Sequence, residues 1–312
     1  MKIKINSEFA HELVLAIPYA YWLHKQGQLE SVTTSKGMKP FYYFCDNVIE
    51  EFDFRTLNHE TSGLKELPND WIHHNAFGAT GKYLHDMTQE EQDNMNGVLD
   101  YRQWIPPDYK HTFNGVEFID RPYIVVNNNF NIESGNDITK SMRYFDIKSL
   151  YEIFNILTEK GYTVIYKRPD NTEFAPDQNE KSTIEQKLTL KANVDEIGEM
   201  TDYELCEYYD NVENLNSLKE KYSEYSYNEL QLRIFANAEG FITPNGGGGI
   251  LCGYFDAPVV MHVPSGKELR TNYLTNKESY YNKLSNNKLY PVIDPGNESN
   301  YKKLFDKIKE VF

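Results

Sequence analysis

The chain has 312 residues and a net charge of −15, from 47 acidic against 32 basic side chains. That length suits one large or two ordinary α/β units, and the acidic balance excludes a broad nucleic-acid-binding face, which needs clustered Lys and Arg. Cys45, Cys206 and Cys252 form no CxxC pair and no Cys/His spacing suited to zinc, so reduced thiols in a cytoplasmic setting are expected. No run reaches the roughly twenty apolar residues of a transmembrane helix, and the Met-Lys-Ile-Lys-Ile-Asn start lacks the apolar stretch of a signal peptide.

The opening reads as a βαβ unit, with a strand over residues 2–6, a loop over 7–12, a helix over 13–26 and a strand over 30–34. Leu13, Ile17, Ala20 and Tyr21 share one stripe at helical spacing, and Gly27 is placed to end the helix. Phe41-Tyr-Tyr-Phe-Cys45 reads as a further buried strand. From residue 50 to 115 scattered aromatics and Ile105-Pro-Pro predict short helices and loops. His73, His74 and His85 in that stretch have no regular ligand spacing, so surface or acceptor-site roles are expected for them rather than a metal site.

A second unit opens at Arg121-Pro-Tyr-Ile-Val-Val-Asn127. A helix over 149–160 follows, with Leu150, Ile153, Phe154 and Leu157 inward and Gly161 closing it, then a strand over 162–166. Lys167 and Arg168 fall at the C-terminal end of that strand, where open α/β sheets bind their ligands. Residues 171–191 read as a polar excursion and 228–238 as a helix. Next come a strand at Phe241-Ile-Thr, the run Gly246, Gly247, Gly248 and Gly249, a helix starting near Gly249, and a buried strand at Pro258-Val-Val-Met-His-Val263. An amphipathic helix over 301–311 closes the chain. Four glycines can take positive φ and bring backbone N–H groups close to a ligand, and a helix N-terminus beyond them suits an anion such as phosphate. A tight connection without any ligand uses the same residues.

Two Rossmann-like halves facing each other across a cleft, with a glycine loop in the second and a C-terminal helix, resemble the GT-B architecture of nucleotide-sugar glycosyltransferases. The start resembles the heptosyltransferase-type pattern, here Ala10-His-Glu-Leu-Val-Leu-Ala-Ile-Pro18 with Leu23-His-Lys-Gln-Gly27; Phe9, Ala10 and His11 stand where that family has glycines. Ile242-Thr-Pro-Asn-Gly-Gly-Gly-Gly249 resembles the strand and glycine turn beneath the donor diphosphate, with Pro244 and Asn245 in place of the family's His. The resemblance implies an N-terminal acceptor domain over 1–118, a C-terminal donor domain over 119–296, and a C-terminal helix over 297–312 packing back on the first domain.

The implied activity is transfer of a sugar from a nucleotide diphosphate sugar to an acceptor hydroxyl of a glycan or glycoconjugate, with no cofactor and no metal. The lack of an Asp-x-Asp triplet agrees with that. Such transfer needs a general base for the acceptor and donors or cations for the departing diphosphate. Glu12, at the loop-to-helix junction, is the first candidate base, although an acid there also suits the helix dipole; Glu8 and His11 in the same loop are alternatives. Lys167 and Arg168 are candidates to neutralise the diphosphate. Thr243, Asn245, Gly246, Gly247, Gly248 and Gly249 would supply further donors, and Glu268 and Arg270 would face the nucleoside. The alternatives are a sugar-nucleotide epimerase of the same plan and a non-catalytic glycan- or nucleotide-binding protein.

Overall fold

The computed structural model describes residues 1–55, 88, 101–115, 118–130, 143–170, 172–176, 189–195, 197–269 and 274–312. In the N-terminal part β1 (Lys2–Lys4), β2 (Ser31–Ser35) and β3 (Val48–Phe52) form a parallel sheet in that order. The helix between β1 and β2 starts earlier than expected: α1 (Phe9–His11) runs into a π-turn over Glu12–Ala16 and on into α2 (Ile17–Lys25). Pro18 explains the wide turn. It has no N–H for the carbonyl of Val14, four residues back, and its ring crowds that carbonyl. The Ile17 N–H reaches back to the Glu12 carbonyl instead. Side chains take the freed acceptors: Trp104 Nε1 donates to the Val14 carbonyl at 2.6 Å and the Tyr254 hydroxyl to the Leu13 carbonyl at 2.5 Å.

The strand expected at Phe41–Cys45 is a 3-10 turn over Lys39–Tyr42, and the third strand lies at Val48–Phe52. Phe41 and Tyr42 are consecutive and both fully buried, which a strand with alternating faces achieves only when both faces are covered. β3 is an edge strand with Glu50 and Glu51 exposed, so its sequence carries little apolar signal.

Beyond α3 (Tyr109–Phe113) the chain builds the larger sheet. Its first strands are β4 (Tyr123–Asn127) and, after α4 (Ile147–Glu159), β5 (Thr163–Lys167). An antiparallel hairpin of β6 (Lys191–Val194) and β7 (Gly198–Thr201) leads through α5 (Asp202–Tyr208) to β8 (Val212–Asn214). After α6 (Leu215–Lys221) and α7 (Tyr227–Asn237) come β9 (Gly240–Pro244), α8 (Gly247–Cys252) and β10 (Val259–Val263). Finally α9 (Tyr280–Leu284) precedes β11 (Leu289–Ile293) and α10 (Lys302–Val311). The six-stranded sheet is parallel throughout, in the order β11-β10-β9-β4-β5-β8. The chain thus moves outward from β4 to β8, returns to β9 beside β4, and moves outward the other way. This is the doubly wound Rossmann order, with its reversal between β4 and β9.

β4, β5, β9 and β10 are buried at every residue, which is why they read as unbroken apolar runs. α4 is capped by Asp146, whose carboxylate accepts from the Ser149 N–H at 2.7 Å. One apolar core runs from Ile3 and Leu13 through Phe41 to Val125, Phe241 and Met261, so both sheets share it. A second fills the opposite face of the larger sheet beneath α4 and α10. Among the described residues the terminal helix packs on the larger sheet, where a return to the N-terminal part was expected. Leu304 and Ile308 bury it against α4, β10 and β11.

Candidate functional site

The reversal between β4 and β9 opens a gap at their C-terminal ends, where neighbouring connections leave in opposite directions. Asn127, Asn128 and Asn129 end one strand; Pro244, Asn245 and the glycines end the other. Gly246 has φ 139° and ψ −170°, a conformation open essentially to glycine alone. A Cβ on Gly248 would collide with the Asn127 carboxamide, and one on Gly249 would lie 2.8 Å from Met261 Cε and 3.0 Å from the Pro244 carbonyl. On Gly247 it would meet Phe9 and the Ala10 nitrogen at 3.4 Å, an ordinary contact. Packing and backbone geometry thus require three of these glycines, while Gly247 is free to vary and faces the start of the first helix.

In this gap lies a pocket that is partly open to solvent. Asn127, Asn128, Asn129, Lys167, Asn228 and Gln231 supply its polar lining, and the rings of Phe9 and Phe174 its aromatic one. Asn128 is consumed by the fold: its Nδ2 donates to the Phe145 carbonyl and the Tyr166 hydroxyl at 3.0 and 3.1 Å, and its Oδ1 accepts from the Phe145 and Asn129 N–H groups. Asn127 is not. Its Nδ2 donates to Thr243 Oγ1 at 3.0 Å, while its buried Oδ1 has no partner among the described residues. These amides are not among the residues expected from the sequence, although three consecutive asparagines closing an apolar strand are a visible signal.

Glu12 does not face the gap. Its side chain is fully buried and its Oε2 lies 2.6 Å from Arg55 Nη1. Its Oε1 accepts from the Tyr42 hydroxyl at 2.9 Å and, in a short contact, from Thr34. Burial, and then the Glu12 carboxylate, push the Tyr42 phenol well above its ordinary range. Arg55 also donates to the Ser7 carbonyl at 3.0 Å and lies over the Phe9 ring, so it ties the whole 7–12 segment down. His11 is buried, with its Nδ1 3.8 Å from Glu8 Oε2, and Glu8 keeps 28% of its side chain exposed.

Of the two cations, Lys167 lines the pocket and Arg168 is absorbed. The Arg168 Nε is 3.3 Å from both Asp170 and Asp202, and its guanidinium lies between the rings of Phe130 and Tyr203. Two carboxylates thus balance the charge expected to meet a diphosphate. Burial raises the Asp202 carboxyl, against the lowering effect of Arg168 and the Tyr166 hydroxyl. Thr243 is buried and donates to the Pro244 carbonyl. Asn245 donates to the Ser265 carbonyl at 2.9 Å and to Glu268 Oε2 at 3.0 Å, and Glu268 Oε1 accepts from Tyr281 at 3.2 Å. Asn245 and Glu268 therefore brace the loop after β10. Arg270, His73, His74 and His85 lie outside the described residues. Among the described residues there is no cluster of three or more His, Cys, Asp or Glu suited to a metal, and no helix long and apolar enough to cross a membrane.

No protein-family model matches the chain, and no curated protein matches it. Among solved structures it is similar to the Escherichia coli ADP-heptose lipopolysaccharide heptosyltransferase II, at 12% identity over 99% of this chain and 98% of that one, with a TM-score of 0.49. It is also similar to E. coli heptosyltransferase WaaC with ADP-2-deoxy-2-fluoro heptose, at 13% identity, 98% and 97% coverage and a TM-score of 0.48. A family 9 glycosyl transferase from Veillonella parvula is similar at 11% identity, 99% and 95% coverage and a TM-score of 0.47.

Proposed function

We propose that the chain is a GT-B-type glycosyltransferase that binds a nucleotide diphosphate sugar in the gap between β4 and β9 and transfers the sugar to a glycan or glycoconjugate hydroxyl. The observation that carries this reading is the pocket at the switch point of a Rossmann-order sheet, flanked by the glycine run and closed on one side by Phe9 of the N-terminal part. Donor phosphates would lie against Gly246, Gly247, Gly248 and Gly249, with Lys167 as the nearby cation. Thr243, Asn245 and Glu268 would hold that loop in shape.

Glu8 takes the role of general base. It adjoins Phe9 of the lining and keeps solvent access, whereas both oxygens of Glu12 are engaged. In this reading the protein needs no cofactor and no metal, and works in the cytoplasm, with residues 1–118 serving the acceptor and 119–296 the donor.

A thermal-shift screen against UDP, GDP, ADP, CMP and their sugar conjugates, with and without EDTA, tests the reading. A shift with one nucleotide diphosphate that survives EDTA is expected; no shift with any nucleotide would overturn it. The engagement of Glu12 favours a second reading, a non-catalytic glycan- or nucleotide-binding protein. That reading predicts binding without turnover, and the same binding and inactivity in Glu8→Gln.

A further inference from the structure

The pocket is partly open, yet most of its polar lining is out of reach. Asn127, Asn228, Gln231 and Lys167 are each no more than 9% exposed, so a ligand makes full contact with them only if a wall moves. The two aromatic walls are held very differently. Phe9 packs edge-on against Phe41 at 5.6 Å, and the Arg55 guanidinium over its ring also binds the Ser7 carbonyl and the buried Glu12 carboxylate. Phe174 sits instead on a short strap, residues 173–176, that links the larger-sheet part to the N-terminal part. On the N-terminal side two backbone bonds fasten it: the Ala175 N–H donates to the Lys36 carbonyl at 2.9 Å, and the Arg55 N–H to the Pro176 carbonyl at 3.0 Å. On the other side Glu173 accepts from the Tyr227 N–H at 2.9 Å and lies 3.2 Å from Lys219, an ion pair half open to water and correspondingly weak.

Gly37 is the seat of the strap. Its φ of 82° suits glycine, and a Cβ there would collide with Cα and Cβ of Phe174. Asn228 of the pocket lining donates to the Gly37 carbonyl at 2.8 Å, so the seat and the pocket are joined. A few bonds near the surface hold one wall, while a buried knot holds the other, and local opening follows the weaker set. We infer that residues 173–176 are the gate of this pocket: release of Ala175 from Lys36 and of Pro176 from Arg55 moves Phe174 aside and uncovers the polar lining, while the Phe9 wall stays. The inference concerns access, goes beyond the nucleotide-sugar reading, and holds for any occupant.

The test places a thiol behind the strap, Gln231→Cys, in a Cys45→Ser background, since Cys206 and Cys252 are buried. Its labelling by N-ethylmaleimide, followed by mass spectrometry, reports how often the pocket opens. With the strap intact, labelling should be at least about tenfold slower than for the same thiol in urea-unfolded protein. Gly37→Ala, which unseats Phe174, should speed labelling of the folded protein by at least about tenfold. Gly27→Ala, at φ 67° with nothing within 4 Å, carries similar backbone strain without touching the strap and should leave the rate unchanged. Hydrogen exchange should show the Ala175 and Arg55 amides exchanging faster together in Gly37→Ala while Phe241 and Ile242 of β9 stay protected. Should Gly37→Ala not fold, Glu173→Ala, which removes the Tyr227 and Lys219 anchors, takes its place with an expected gain of about threefold. An unchanged rate in the folded strap variant, equal acceleration by Gly27→Ala, loss of β9 protection in step with Ala175, or an intact-strap thiol that reacts as fast as in unfolded protein would overturn the inference.

Discussion

Two polar clusters sit at the C-terminal ends of the two sheets, and they are opposites. At the first, Arg55, Thr34 and Tyr42 donate to the Glu12 carboxylate in a fully buried knot, with Arg55 Nε and Nη2 left without a partner among the described residues. At the second, neutral amides and Lys167 line a pocket that is partly open to solvent. Of the knot, Glu12 alone is a catalytic candidate in the sequence, and Asn127, Asn128 and Asn129 are not among the candidates. The difference teaches that charge marks a candidate site less well than a place beside an opening.

The largest expected effect breaks the first cluster. Arg55→Met leaves the Glu12 carboxylate buried and unpaired, and should cost about 3–5 kcal/mol in urea unfolding; the double change with Glu12→Leu should recover much of that. A Glu12→Gln protein of wild-type stability that has lost turnover alone would instead restore Glu12 as the base.

A third polar pair joins β10 to the residue after β11. His262 is fully buried, 3.7 Å from Asp294, and burial brings it from the ordinary value of 6.5 down to about 4. The unfolded chain therefore takes up this proton at higher pH than the folded one. The contribution is full above pH 6.5 and is lost as pH falls through about 4. Comparing His262→Phe with wild type across that window should isolate a pH-dependent difference of about 2–3 kcal/mol, and parallel profiles for the two proteins would refute it.

The glycines sharpen the comparison on the pocket side. Gly248→Ala drives a methyl into Asn127 and should cost about 1–3 kcal/mol. Gly247→Ala meets only ordinary contacts and should be neutral, or stabilising by under about 1 kcal/mol. Thermal melts of the two variants check the contrast, and equal losses would mean that Gly247 is as constrained as its neighbours.

Much of the larger sheet was legible because β4, β5, β9 and β10 are covered on both faces and so form unbroken apolar runs. Gly161, at φ 87°, marked the end of α4. The third strand was missed because it is an edge whose residues are mostly exposed, while the apolar run at Phe41 fills the core from a tight turn. The site was legible in outline only. Of the residues expected after parallel strands, Gly248 and Lys167 line the pocket. The fate of Glu12 was not readable, because its partner Arg55 stands 43 residues away; for Arg168, Asp170 two residues on was a local signal, while Asp202 stands 34 residues away.

The most direct test of the account is a calorimetric titration of wild type and Gly247→Asp with the nucleotide diphosphate and its sugar conjugate that shift the melting temperature of wild type. The account predicts that the variant remains folded and loses at least about tenfold in affinity for both ligands, because a carboxylate then stands beside the phosphates. Unchanged affinity in a folded Gly247→Asp protein would contradict it.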